Sequence, residues 1–255
     1  MIITWTLTAT VLAAVAVGGT LGLFGGGGSI LMVPMLMYIA HVPGKTAIAM
    51  SLLVVAATSA AGLVSHARAG RVRWRTGLIF GAAGMAGAYA GGLIGPYLPE
   101  TILLGGFALM MVATAVAMVR GRSRISGPSR TDMPIGKILL DGVLVGLVTG
   151  TVGAGGGFLV VPALVLLGGM PMVAAVGTSL LVITMKSLAG LAGYLHTVTI
   201  DWRVALVVSA AAAVGGLLGG RLAGHVNPDR LRRAFGWFVL VMGIFVLAQQ
   251  VPALM

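Results

Sequence analysis

Few residues in this 255-residue chain could do chemistry, and they are grouped. Two glycine runs come first. Gly25-Gly26-Gly27-Gly28 precedes Ser29 and Pro34, and Gly153, Gly155-Gly156-Gly157 precedes Pro162. Glycine lets a helix break and lets backbone N–H groups turn toward one ligand. A helix starting after such a break presents unpaired N–H groups and the positive end of its dipole, which favours an anion. Neither run is followed by Gly-Lys-Ser/Thr, so neither is a nucleotide phosphate loop. The second feature is Lys186, inside the apolar run Ser179 to Leu188. An ammonium there costs at least ~2.5 kcal/mol on membrane-insertion scales, which makes it a cation awaiting an anion. The competing reading is a lysine whose stem snorkels to an interface. Hydroxyls complete the set. Ser51, Thr58 and Ser59, and likewise Ser179, Lys186 and Ser187, fall at i, i+7 and i+8, on one helix face. They could complete an anion cage, or each could bond its own helix backbone.

Other reactive groups are scarce. Of the five carboxylates, only Asp141 lies close to an apolar interior, one turn after Lys137. An ion pair at i, i+4 is the plain reading there, with a proton relay as the alternative. His41, His66, His196 and His225 fall at the ends of apolar stretches, where interface hydrogen bonding is expected. No metal-ligand spacing is visible. There is no cysteine, which removes disulfides and thiolate chemistry. The serines of the apolar runs have no histidine at helical spacing. No enzyme activity, metal or cofactor is therefore expected.

The elements that must hold these residues are apolar. The chain is 58% hydrophobic and only 8% charged, with a mean hydropathy of +1.09. A soluble domain is about 45–50% apolar and about 25% charged. Apolar stretches run at 4–24, 28–40, 46–65, 76–98, 101–119, 137–152, 156–168, 174–195, 203–224 and 231–248. A spanning helix needs about 20 residues. The stretches 28–40 and 156–168 are short, follow the glycine runs and contain the prolines, so they read as broken segments. Residues 4–24 lack a basic n-region and read as a retained span, not a signal peptide. Trp74 and Trp202 flank spans as interface residues. Gly81, Gly84, Gly87, Gly91, Gly95 and their second-half equivalents read as helix-packing positions.

A shift of 128 positions lays the chain on itself. Gly25, Gly27 and Gly28 meet Gly153, Gly155 and Gly156; Pro34 and Pro43 meet Pro162 and Pro171; Ser51-Leu52-Leu53-Val54 meets Ser179-Leu180-Leu181-Val182; Trp74-Arg75 meets Trp202-Arg203. Residues 1–119 and 137–255 form two repeats, joined by the basic linker 120–136. Thirteen of the sixteen basic residues fall in 68–75, 120–137 and 221–233. The loop after Trp74's span carries none, whereas the equivalent loop after Trp202's span is basic. Positive charge marks the cytoplasmic side, so the halves face opposite ways. That requires five crossings each, with 25–28, 66–75, 120–136, 169–172 and 225–230 inside. The expected fold is an all-α polytopic membrane protein of about ten segments in two inverted repeats, with broken helices at the glycine runs. A parallel pair of four-span repeats is the alternative.

At these residues the sequence resembles the TauE/SafE sulfite exporter-like membrane proteins. The resemblance lies in the duplicated segments Gly22 to Pro34 and Gly150 to Pro162, in Pro43 and Pro171, and in the helices of Ser51 and Ser179, and covers about 9–248. It implies transport of a small anion, often sulfur-containing: sulfite, a sulfonate or a related organic acid. It also implies that Gly26, Gly27 and Gly28, with Gly155, Gly156 and Gly157, carry the binding site. Ala154 stands opposite Gly26, so the halves are not equivalent. The expected binding set is these glycines with Ser29, Ser51, Thr58, Ser59, Ser179, Lys186 and Ser187, at the midplane between the repeats. The expected partners are a small anion and the lipid bilayer, without nucleic acid, in a bacterial inner membrane. Homo-oligomerisation is left open.

Overall fold

The computed structural model describes residues 2–25, 28–120, 135–152, 157–167 and 169–223, with 236, 237, 240, 241, 243–245 and 248. Among them every regular element is helical. The order is α1 (Ile2–Phe24), α2 (Ser29–Tyr38), α3 (Gly44–Arg68), α4 (Trp74–Ile94, continued by a 3-10 turn Gly95–Tyr97), α5 (Glu100–Arg120), α6 (Ile135–Val152), α7 (Gly157–Pro162, continued by a π turn Ala163–Leu167), α8 (Met172–Tyr194) and α9 (Trp202–Leu222). The starts of α2, α3 and α4 lie 128 residues before those of α7, α8 and α9, and α1 and α6 end at the same offset. Local punctuation repeats with the sequence: Pro43 and Pro171 stand at the N-caps of α3 and α8. Residues 26, 27 and 153–156 of the glycine runs, most of the linker and the basic cluster at 230–233 lie outside the described residues.

Among the described residues four helices are long and apolar enough to cross a membrane: Gly44–Arg68, Trp74–Tyr97, Met172–Tyr194 and Trp202–Leu222. Thr8–Phe24 and Leu139–Val152 are shorter apolar helices. The two short segments differ in one respect. Pro34 is accommodated inside α2, whereas Pro162 ends α7 and a π turn follows. Proline lacks the N–H that the preceding turn would accept, and a wider turn absorbs the missing bond. With 10 residues, α2 rises only ~15 Å.

Close glycine contacts fix the helix directions. A Cβ at Gly18 or Gly22 of α1 would overlap backbone at Ala212 or Gly216 of α9, so the two run parallel. Gly142, Gly146 and Gly150 of α6 meet Ala83, Gly84 and Ala88 of α4 in the same sense. Gly77, Gly81 and Gly92 of α4 meet Leu181, Met185 and Gly193 of α8, again parallel. Between α3 and α8 the sense reverses, with Gly62 against Leu180 and Gly190 against Leu52. Small residues permit this approach where no hydrophobic force draws helices together. Gly87 and Gly91 abut the carbonyls of Val143 and Leu147; their counterparts Gly215 and Gly219 abut those of Val15 and Gly19. The packing role expected of these glycines is the one they fill.

Candidate functional site

The antiparallel crossing of α3 and α8 is the centre of the molecule. Leu52, Val55, Ser59 and Gly62 form a stripe at spacings of three and four on α3. Leu180, Ile183, Ser187 and Gly190 form the equivalent stripe on α8, and all eight are buried. The contacts of Leu52 with Gly190 and of Gly62 with Leu180 set Ala57 level with Met185. Ser59 and Ser187 therefore lie on opposite sides of the crossing, each about 3 Å along its own helix from that level. Both hydroxyls are buried and have no hydrogen-bond partner among the described residues. Buried polar groups are nearly always satisfied; among the described residues Ser59 and Ser187 share the unpartnered state with Ser209 Oγ, His66 Nδ1 and Asp141 Oδ2.

The remaining hydroxyls are spent locally. Thr58 Oγ1 donates to Val54 O at 2.6 Å and Ser51 Oγ to Ile48 O at 2.7 Å. Ser179 Oγ donates to Val176 O at 2.8 Å and also to Gly25 O. That second bond ties the first glycine run to α8. Gly25 adopts φ +65°, and a Cβ there would lie 2.6 Å from Val176 Cγ1, so conformation and space both demand glycine. Gly28 is the N-cap of α2 and packs against Val17 and Leu21 of α1; Ser29 is buried in the first turn of α2. Gly157 starts α7. The expected roles of Gly26, Gly27, Gly155 and Gly156 fall outside the described residues.

Lys186 departs from the single face drawn from the sequence. It is 1% exposed, so it does not snorkel. Residues 186 and 187 point about 100° apart on a helix; Ser187 lies in the α3 seam, and Lys186 turns toward α4 and α6. Its stem runs over Gly84, where a Cβ would lie 2.6 Å from Cδ. Its Nζ donates to Thr149 Oγ1 of α6 at 3.1 Å. Thr149 in turn donates to Val145 O at 2.7 Å. Thr149 is the ammonium's sole partner among the described residues, and no carboxylate pairs with it. The side chain of Lys137 is not described; Asp141 Oδ2 is buried without a partner among the described residues. Thr149 was missed in the sequence, and Gly84 was read only as a helix-packing position. The available signal was a hydroxyl one turn ahead of the second glycine run.

One histidine also departs from expectation. His41 and His196 are exposed, with contacts to Ile39 O and the Tyr89 hydroxyl. His66 is buried, and its Nε2 lies 3.3 Å from Gly22 O, in the last turn of α1. Its counterpart Tyr194 donates its hydroxyl to Thr151 O, in the last turn of α6, at 2.5 Å. The final carbonyls of a helix have no intrahelical partner, and these side chains supply one just before each break. Trp74 and Trp202 begin α4 and α9 at about half exposure. Among the described residues no cluster of three His, Asp or Glu could hold a metal.

The family model described as "Sulfite exporter TauE/SafE" matches residues 10–246. A "Probable membrane transporter protein" of Xylella fastidiosa strain 9a5c is 36% identical over 237 residues, covering 91% of each chain. A protein of the same printed name from Methanocaldococcus jannaschii is 29% identical over 245 residues, covering 90% of this chain and 91% of its own. One from Bacillus subtilis, YdhB, is 24% identical over 243 residues, covering 93% and 98%. No solved structure gives a significant match.

Proposed function

The chain belongs to the sulfite exporter TauE/SafE family of membrane transporters, and on that premise we propose that it carries a small sulfur-containing anion, sulfite or an organosulfonate, across the cell membrane. In a bacterium with two membranes this is the inner one. One observation carries the reading: the fully buried amine of Lys186, held among the described residues by a single hydroxyl and no carboxylate. A buried charge is costly unless paired, and a visiting anion is the missing pair. In the neighbouring α3–α8 seam the Ser59 and Ser187 hydroxyls, unpartnered among the described residues, add neutral donors. Another small organic anion would suit the same donors, so a short carboxylate belongs among the competitors. Transport, rather than catalysis, is the activity named for the family and these relatives.

The proposed architecture is ten segments in two inverted five-segment repeats, with the anion at the midplane between them. The antiparallel α3–α8 pair supports it, because equivalent helices of parallel repeats would run the same way. The three arginine-rich clusters give the orientation. The cysteine-free chain allows a direct check. Pro99→Cys and Thr197→Cys label from outside and Ala69→Cys and Pro228→Cys do not; outside labelling at 228 would sink the inverted arrangement.

For the activity, purified protein in liposomes exchanges labelled sulfite and methanesulfonate. Lys186→Met abolishes that exchange at unchanged protein level. Exchange that survives in Lys186→Met removes this lysine from the site, and a wild-type protein that exchanges only the carboxylate moves the substrate class.

A further inference from the structure

Equivalent helices α4 and α9 each carry an exposed apolar stripe. On α4 it runs Trp74, Leu78, Ala82 and Met85, at spacings of four, four and three. It climbs about 16 Å, the depth of one leaflet in a ~30 Å hydrocarbon core. On α9 the matching positions are Trp202, Leu206 and Ala210, also exposed. The two half-exposed tryptophans mark where each stripe meets the headgroups. What stands beside them differs. Arg68, Arg71, Arg73 and Arg75 have His196, Thr199, Asp201 and Arg203 as their counterparts. The α4 end is purely cationic. The α9 end pairs one arginine with one carboxylate, which accepts from the backbone of Arg203 and Val204.

The basic loop before α4 is held in a fixed shape. Gly70 takes φ +68°, Arg71 N donates to His66 O at 3.0 Å, and Arg73 N donates to Thr178 Oγ1 at 2.9 Å. Arg68, Arg73 and Arg75 are exposed and Arg71 is half-buried. Among the described residues none of these four guanidinium groups makes a hydrogen bond or an ion pair. A fifth arrives from α9. Ser65 Oγ donates to Leu217 O at 3.5 Å, and a Cβ at Gly220 would lie 3.1 Å from Ser65 Cβ, which sets the exposed Arg221 beside the end of α3. The Asp141 carboxylate lies deeper: its neighbour Gly142 packs on Phe80 and Ala83, more than a turn past Trp74.

We propose that this loop and the first turns of α4 bind an anionic phospholipid. The guanidinium groups take its phosphate, whose oxygens match their planar fork. One acyl chain lies along Trp74, Leu78 and Ala82. Basic residues at headgroup depth attract anionic lipid, and the stripe below them adds the apolar contact that a free phosphate cannot make. The matching surface at Trp202 takes lipid without regard to charge, because Asp201 offsets Arg203.

The test is quenching of tryptophan fluorescence by phospholipids with brominated acyl chains. Two full-length variants each keep one tryptophan, Trp74 or Trp202, with the others replaced by Phe. In mixed vesicles brominated phosphatidylglycerol is favoured over brominated phosphatidylcholine about tenfold at Trp74 and about equally at Trp202. The preference at Trp74 shrinks in 1 M salt, where the Debye length is about 3 Å. Arg73→Gln with Arg75→Gln brings it to about one; both side chains are exposed, and the Arg73 N–H still holds Thr178. A preference below about twofold at Trp74, an equal preference at Trp202, or one that survives both salt and the double substitution overturns the lipid site. So does loss of the preference in millimolar inorganic phosphate, which would make the arginines a site for the free ion. No transported substrate is present, so failure here leaves the transport reading untouched.

Discussion

The two halves share a skeleton and differ in chemistry. Gly87 and Gly215 press on the carbonyls of Val143 and Val15 in the same way, and Pro43 and Pro171 stand at the same N-caps. Around this duplicated frame the polar groups diverge. Thr58, bonded to its own helix, stands opposite Lys186, whose ammonium reaches across to α6. Leu21, a core residue, stands opposite Thr149, the partner of that ammonium. Histidine stands opposite tyrosine at the two carbonyls before the breaks. Where a methyl group would strike a neighbouring carbonyl in both halves, as at Gly87 with Gly215 and Gly91 with Gly219, glycine is kept in both, whereas Gly177, against Arg71 O, stands opposite Ala49. A polar side chain can change once its counterpart preserves the shape. A buried amine can therefore stand in one half alone, at Lys186, without disturbing the fold.

The harshest way to break the comparison is at the shared frame. Gly87→Ala and Gly215→Ala each place a methyl on a partner carbonyl and should cost at least ~2–3 kcal/mol. Both should lose most of the monodisperse peak in size-exclusion chromatography. Gly81→Ala meets only the movable Met185 side chain and should cost less than ~1 kcal/mol. If one half accepts its alanine and the other does not, the frames are not equivalent. Next comes the divergent pair at 21 and 149. Thr149→Val strips the buried ammonium of its acceptor, worth about 1.5–3 kcal/mol for a bond to a charged group. It should lower the melting temperature and slow methanesulfonate exchange about tenfold, and unchanged exchange would separate Thr149 from the site. Tyr194→Phe removes one neutral hydrogen bond and should lower stability by about 1 kcal/mol in thermal melts. The smallest effect sharpens the centre. Ser59→Ala and Ser187→Ala remove hydroxyls without partners, so stability should change by less than ~0.5 kcal/mol. The KM for methanesulfonate should rise several-fold in each, and a rise in only one would assign the anion to that half.

Much of the frame was legible in the sequence. Runs such as Leu52 to Ala57 are apolar throughout, and α2, α3, α4 and α8 begin within two residues of the apolar stretches. The prolines and the Gly25 break marked the ends because their backbone demands are local. The site was legible in type but not in grouping. Positions i, i+7 and i+8 promise one face only if the neighbours are ignored. Of the helices packed against α8, α3 takes the Ser187 seam, and α4 and α6 form the Lys186 slot. His66 was read as an interface residue because its sequence neighbours Ser65, Ala67 and Arg68 are those of a helix end. Burial of its ring comes from α1 and α8, which lie 44 and more than 100 residues away.

By itself the sequence determined that the chain is helical and apolar, that it is duplicated at a spacing of 128, and which residues could hold a charge. Those properties follow from composition and from short-range backbone preferences. The tertiary structure alone decided that α3 and α8 cross antiparallel, that Gly84 opens the slot for the Lys186 stem, and that Thr149 and Gly22 receive the polar groups of the other elements. Such pairings depend on how closely two backbones approach, and that distance is set jointly by glycines on both helices.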